Sequence, residues 1–302
     1  MDREIGFIGV GSMGLPMARN LLQRGFKLRV YNRTEGRSRE LVRLGAVAVE
    51  VPADAVRTDG LVVTMVSDDQ ALLAVTTGPG GIGARMGRGG LHVSMSTVSP
   101  EVIRRLAEQH RQAGAALVSA PVSGRPDAAE AASLTVWLAG ADEDKRRTRP
   151  VLEAMASAIY DVGAEPSAGN VAKLAANLMV LSSVEALAEA LELAARGGVD
   201  RRALAAALTE RLFPGPVTGG YGMRLASGSV EEKGFKVALA LKDIDLVLKT
   251  AASADVALPF AQALHHRLKS VYAKGMGQRD VSALAADLLP QTSNLRPHSI
   301  AG

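Results

Sequence analysis

The 302-residue chain contains no cysteine. That excludes a disulfide framework, thiolate zinc sites, iron–sulfur clusters and a cysteine nucleophile. Aromatic residues make up only 3%, with a single tryptophan, and neither sign of charge dominates: 35 Lys and Arg stand against 31 Asp and Glu, a formal charge of +4. The sequence pI near 9.5 suggests nucleic acid at first sight. Yet the basic residues are scattered among acids, so the expectation is a solvated cationic surface with no nucleic-acid partner. No basic and apolar leader precedes the strand-like sequence at Glu4, and the longest apolar stretch, Val171 to Ala195, is interrupted by Lys173, Glu185, Glu189 and Glu192. Neither a signal peptide nor a membrane span is expected, hence a cytoplasmic protein without a membrane partner.

What is present is a globular composition, 47% hydrophobic and 22% charged, at a length that favours two domains. From Ile5 to about Tyr160, short runs rich in Val, Ile and Leu alternate with amphipathic segments of helical length. That alternation predicts a parallel sheet flanked by helices. The expected strands are Ile5–Gly9, Leu28–Tyr31, Leu61–Val66, Leu91–Met95, Ala116–Ser119, Leu134–Leu138 and Ala158–Val162, with helices such as Met13–Arg24 and Pro100–Ala113 between them. Ser99 before Pro100 reads as an N-cap followed by proline at the first helical position. After Gly163 the character changes. Ala168–Arg196 is one uninterrupted helical pattern, roughly 40 Å long, and further helices are expected at Arg201–Arg211, Phe235–Ala254, Pro259–Lys274 and Val281–Leu289, with a frayed tail from Pro290. The fold class expected is therefore α/β: a Rossmann-type dinucleotide-binding domain over residues 1–163, then an all-α domain over 164–302, joined by a long interdomain helix.

The run Gly9-Val10-Gly11-Ser12-Met13-Gly14 places G-x-G-x-x-G directly after a strand and at the start of a helix. In that context Gly9 permits a tight turn, Gly11 lets backbone approach a pyrophosphate, and Gly14 lets helix and strand pack closely while the helix N-terminus faces the phosphate charge. The second strand ends near Asn32, where an acid would hydrogen-bond the ribose of NAD. Here the sequence is Asn32-Arg33-Thr34, followed by Arg37. A neutral residue and a guanidinium remove the repulsion toward a 2′-phosphate and supply a partner for it, which favours NADP(H). The alternative is that Arg33 is a solvent-facing loop charge.

Five segments occur in order: Gly9 to Ala18, Ser96-Thr97-Val98-Ser99-Pro100, Ala120-Pro121-Val122-Ser123-Gly124, Gly169-Asn170-Val171-Ala172-Lys173-Leu174-Ala175-Ala176-Asn177, and Lys242-Asp243. Together they resemble the β-hydroxyacid dehydrogenase family, which includes 3-hydroxyisobutyrate dehydrogenase, tartronate semialdehyde reductase and the glyoxylate and succinic semialdehyde reductases. The resemblance spans about Glu4 to Leu289. It implies hydride transfer between NADP(H) and a small carboxylate-bearing hydroxy acid, semialdehyde or oxo acid, in a cleft between the domains, by a homodimer or homotetramer. The apolar character of the helical half points the same way on association.

The resemblance makes Lys173 the catalytic acid/base, with Asn177 positioning it or the reacting oxygen. On their own spacing the two share one helix face, and Lys173 is the only lysine of its apolar stretch. Partial desolvation there lowers a lysine pKa toward neutrality; the alternative is a lysine snorkelling to solvent. Ser123 and Gly124 match the loop that holds the substrate carboxylate. Two residues depart from the family pattern: Ser119 stands where an acid is usual, and Arg125 replaces the second glycine. Thr97 matches the position beside nicotinamide and substrate, Val66 and Ser67 end the preceding cofactor-side strand, and Lys242 matches a lysine that reaches the cofactor. Read alone, Lys242-Asp243 is a charged pair on a helix. Trp137, His92, His265 and His266 read as structural, and no metal-ligand spacing is visible. An imine reductase is the alternative enzyme, disfavoured by lysine at 173. A catalytically silent dinucleotide-binding module is the alternative from another class.

Overall fold

The computed structural model describes residues 4–34, 36–230, 234–286 and 288. The chain divides into two compact units, Met1–Leu174 and Ala175–Gly302.

The first unit is built on a nine-stranded sheet: β1 (Glu4–Ile8), β2 (Lys27–Tyr31), β3 (Val47–Ala48), β4 (Leu61–Thr64), β5 (Leu91–Ser94), β6 (Ala116–Ser119), β7 (Val122–Ser123), β8 (Leu134–Ala139) and β9 (Ala156–Gly163). The spatial order is β3-β2-β1-β4-β5-β6-β8-β7, with β9 paired to β8. Neighbours from β3 to β6 run parallel. The expected parallel sheet flanked by helices is present from β3 to β6; beyond β6 the sheet is mixed, with β8 antiparallel to both β6 and β7 and parallel to β9. The cause is local: β6 and β7 pair with β8 in one continuous register, and only residues 124–133, with a five-residue helix, join β7 to β8, so the chain folds back on itself rather than crossing over. All seven expected strands are present. β3 and β7, two residues each, carry too short a pattern to be seen in the sequence.

Helices α1 (Gly14–Gln23), α2 (Arg39–Arg43), α3 (Asp69–Thr77), α4 (Pro100–Gln112), α5 (Pro126–Glu130) and α6 (Asp142–Leu152) link the strands. The Ser99 cap is as the sequence predicts, its Oγ accepting from the Val102 N–H at 3.2 Å with Pro100 at the first helical position. The core is made by strand residues such as Phe7, Val30, Val63, Val93, Val118 and Val136. Every residue of β5 is buried, as a central parallel strand covered on both faces must be.

The long helix α7 runs Ser167–Arg196. Its first turns, through Leu174, belong to the first unit and the remainder to the second. By length and apolarity α7 could cross a membrane, with a window of mean hydropathy 1.5. Its buried residues include Leu181, Val184, Glu185, Ala188 and Leu191, and Glu185 is held by the Arg267 guanidinium, the environment of a core helix. Among the described residues, the second unit continues with α8 (Arg201–Ala207), α9 (Pro216–Ser227), α10 (Val237–Ser253), α11 (Pro259–Val271) and α12 (Ala283–Ala286). Helix α9 is absent from the sequence reading. Of the expected helix Val281–Leu289, Ala283–Ala286 forms α12, residues 287 and 289 lie outside the described residues, and so does the expected tail from Pro290.

Candidate active site

In the first unit, the sequence-predicted residues gather at the carboxyl ends of β1, β2, β4 and β5, the edge where parallel sheets collect ligands. The glycine loop follows β1. Gly9 has φ +98°, and a Cβ there would lie 2.1 Å from the Met65 carbonyl oxygen; at Gly14 it would lie 1.9 Å from the Gly9 carbonyl oxygen. Both glycines are thus required by the chain's own packing. Gly11 is different: a Cβ there meets nothing within 4 Å. The space beside Gly11 is what close approach of a dinucleotide phosphate needs. Helix α1, which starts at Gly14, has no side-chain cap and no acid in its first turn, so its positive end is left for an anion. These residues, Gly9 through Gly14, fit a dinucleotide.

Asn32, after β2, accepts the Val10 N–H through Oδ1 at 2.8 Å and donates through Nδ2 to the Thr34 carbonyl at 2.8 Å. It therefore ties the glycine loop to the β2 loop, a role its sequence position does not reveal. Arg33 and Thr34 are exposed. Val66 and Ser67 follow β4. The Val66 N–H donates to Ser96 Oγ at 2.9 Å, which couples this loop to the one carrying half-buried Thr97. Ser67 donates to Asp68, the cap of α3, at 2.6 Å.

The Gly169-Asn170…Lys173 segment explains itself residue by residue. A Cβ at Gly169 would lie 2.7 Å from Ser119 Oγ and 2.9 Å from the Trp137 carbonyl oxygen, so glycine lets α7 start hard against β6 and β8. Asn170 is fully buried. Its amide donates to the Ser96 and Val98 carbonyls at 3.1 and 3.0 Å, and its Oδ1 accepts from Ser119 Oγ at 2.6 Å. Ser119, the departure from the family pattern, is thus the partner of this clamp, and Asn170 is a positioning residue whose partners no local spacing in the sequence reveals. One turn later, Lys173 is 7% exposed and its Nζ donates to Ser123 Oγ at 3.2 Å. The structure therefore brings together the predicted proton-transfer and carboxylate-holding residues. Gly124 has φ +143°, and a Cβ there would collide with Leu134 at 2.6 Å, so the turn after Ser123 admits only glycine. Arg125 is 27% exposed along its side chain, with Nε 4.0 Å from Asp127.

Trp137, read as structural, also belongs to this cluster: its indole N–H donates to Ser123 Oγ at 2.9 Å. No sequence spacing relates 123 to 137. The contact follows from the register of β7 on β8, in which Ser123 opposes Thr135. His92 is structural, fully buried between Thr64 Oγ1 and His110 Nε2, each at 2.9 Å.

In the second unit, Asn177 is buried and its Nδ2 donates to Asp243 Oδ2 at 2.6 Å, while Lys242 Nζ lies 3.0 Å from Asp243 Oδ1. Asp243 thus joins Asn177 of α7 to Lys242 of α10. His265 pairs with Asp245 at 2.8 Å.

Residues 4–163 match the family model described as the NAD binding domain of 6-phosphogluconate dehydrogenase, and residues 167–288 match that described as NAD-binding of NADP-dependent 3-hydroxyisobutyrate dehydrogenase. An uncharacterized oxidoreductase of Bacillus subtilis (strain 168) is 38% identical over 93% of this chain and 98% of its own length. The 2-hydroxy-3-oxopropionate reductase of Escherichia coli (strain K12) is 32% identical over 94% and 97%, respectively. Among solved structures, a 3-hydroxyisobutyrate dehydrogenase of Mycobacterium tuberculosis with L-serine is 27% identical, with a TM-score of 0.84 over 96% of this chain and 100% of that one.

Proposed function

The chain belongs to the β-hydroxyacid dehydrogenase family of NAD(P)-dependent oxidoreductases, and from that premise we propose that it uses NADP(H) to reduce a short semialdehyde or 2-oxo acid whose carboxylate is held at Ser123 and Gly124. The observation that carries this reading is the 3.2 Å contact between Lys173 Nζ and Ser123 Oγ. It sets a buried proton-bearing group beside a hydroxyl suited to a carboxylate, in the same unit as the glycine loop. When bound, the nicotinamide supplies or accepts the hydride. Gly9 to Gly14 would hold the dinucleotide phosphates, Asn32 keeps the loop in register, and Arg33 would meet the 2′-phosphate.

Ser123 and the Gly124 N–H fix the substrate by its carboxylate, leaving its carbonyl oxygen within reach of Lys173. In reduction the Lys173 ammonium gives its proton to the oxygen as negative charge develops there; in the reverse direction the neutral amine takes the hydroxyl proton. Asn177 lies one turn along α7 from Lys173, and Asp243 fixes the Asn177 amide so that its carbonyl end has a defined direction.

The test is NADPH oxidation over a panel of short aldehyde acids and 2-oxo acids beside their uncharged counterparts, for example succinic semialdehyde against butanal. Turnover is expected only where a carboxylate is present. On the best substrate, Lys173→Ala should lower kcat by roughly 10²- to 10⁴-fold, with NADPH affinity unchanged. Lys173→Arg keeps the charge but cannot cycle a proton near neutrality. Full activity in that variant would show that Lys173 only orients the substrate.

A further inference from the structure

Ser123 Oγ receives two hydrogen bonds, from the Trp137 indole N–H at 2.9 Å and from Lys173 Nζ at 3.2 Å. A hydroxyl has two acceptor positions and one hydrogen. While Lys173 carries its proton, both neighbours can only donate: an ammonium has no lone pair, and an indole N–H is never an acceptor. The two acceptor positions are then filled, and the Ser123 hydrogen must point to a third group. We propose that Trp137 is a positioning residue that locks Ser123 as a hydrogen-bond donor, so that the hydroxyl presents its hydrogen to an acceptor-only ligand group, a carboxylate, and disfavours groups that must donate to it. This deepens the function proposed above and rests on it.

The indole is itself held by a stacked ring and by a fixed backbone. Trp137 and Tyr160 are direct partners in the β8–β9 register, and their rings stack with centroids 5.7 Å apart and planes at 26°. The Trp137 backbone N–H is fixed by the Pro121 carbonyl at 3.0 Å, and its carbonyl lies where Gly169 lets α7 approach. The donor therefore has little rotational freedom. A fixed donor holds a serine rotamer better than a mobile one, because ordering the pair costs less conformational entropy. Ser123 is a small side chain with three staggered rotamers, and the indole selects the one that also meets Lys173. Trp137 acts through Ser123.

Trp137→Phe removes the indole N–H together with the pyrrole half of the ring system while keeping an aromatic ring to stack on Tyr160, and the Ser123→Ala background separates loss of the hydrogen bond from loss of ring volume. On the best carboxylate substrate, KM should rise about three- to tenfold, the scale of one lost hydrogen bond, with a smaller change in kcat. In a Ser123→Ala background the same change should add nothing, because the hydroxyl it serves is gone. An unchanged KM in Trp137→Phe, or an undiminished penalty in the Ser123→Ala background, would overturn the proposal. A second readout needs no turnover. The chain has one tryptophan, so an amide-type NMR spectrum of tryptophan-labelled protein shows a single indole N–H resonance. In Ser123→Ala that proton should exchange with solvent faster and its resonance should move; an unmoved resonance with unchanged exchange would also overturn the proposal. If no carboxylate substrate turns over while the indole proton responds to Ser123→Ala, it is the proposed function that fails, and the Trp137–Ser123 coupling stands.

Discussion

Gly11 and Gly14 are three residues apart in one motif, yet their glycine requirement has different origins. At Gly14 a side chain would strike the Gly9 carbonyl oxygen at 1.9 Å, whereas at Gly11 it meets nothing within 4 Å. Gly14→Ala should therefore destabilise the fold, lowering the urea midpoint, since backbone has to move to admit the methyl group. Gly11→Val should leave the urea midpoint within the range of an ordinary surface change while weakening NADPH binding at least tenfold, because its side chain fills the space a phosphate needs. Equal stability losses in the two variants would show that Gly11 serves the fold. Arg33 gives the companion prediction. If it meets the 2′-phosphate, NADPH should bind at least tenfold more tightly than NADH, as expected of a charge-assisted contact of roughly 1.5 to 3 kcal/mol, and Arg33→Ala should erase the difference. Asn32→Asp is a blunter probe than the sequence suggests. The new carboxylate still accepts the Val10 N–H but faces the Thr34 carbonyl with no hydrogen to give it.

Between residue and fold stand pairs of elements, and the β5–α4 pair carries a pH dependence. His92 of β5 and His110 of α4 share a hydrogen bond inside the first unit. Burial, reinforced by the charge of its neighbour, holds His92 well below the usual 6.5, and burial lowers His110 to about 4. Above about pH 6.5 both histidines are neutral whether the chain is folded or not, and their full contribution is present. As pH falls from about 6.5 toward 4, the unfolded chain binds protons that the folded one refuses. Stability then drops by up to roughly 1.4 kcal/mol per pH unit for each histidine. Urea midpoints between pH 7 and 4.5 measure this slope. Replacing both residues, His92→Val with His110→Leu, should flatten it even if the level falls throughout because Thr64 loses its partner; an unaltered slope would assign the acid sensitivity elsewhere. The same scale shows what a sequence can carry. Buried strands such as β5 and capped helices such as α4 announce themselves through local pattern, and so does the motif loop after β1. Helix α9 does not, because Gly219, Gly220 and Gly222 argue against a helix by roughly 1 kcal/mol each. Tertiary packing overrides that penalty at Gly222, where a Cβ would lie 2.5 Å from Thr209. The Ser123–Trp137 contact and the Asn170 clamp were illegible for another reason: both depend on strand register and on how closely α7 approaches the sheet, and neither is a function of local spacing.

For the molecule as a whole, the question is what covers the apolar side chains of the helical unit. Met179 and Leu193 on α7, Leu212 and Phe213 after α8, and Phe260 on α11 are each more than half exposed, Leu193 reaching 77%. Isolated exposed leucines need no explanation, but large apolar residues recurring on several helices of one unit do. Charged side chains would serve solubility at such positions without cost to the core, so their absence argues for a surface that is covered in use. We propose that a second copy of the chain covers it, since closed homo-oligomers are the commonest solution for a soluble enzyme. Sedimentation at micromolar concentration should then give a mass of at least twice the 31.4 kDa of one chain. Met179→Glu with Leu193→Glu should shift the distribution toward the single chain without lowering the helix content, because neither side chain is part of the unit's own core. A 31.4 kDa species from the unaltered protein at that concentration would sink the idea. A dimer indifferent to both substitutions would place the contact on another face, and Phe213→Glu and Phe260→Glu would then distinguish the α8 side from the α11 side.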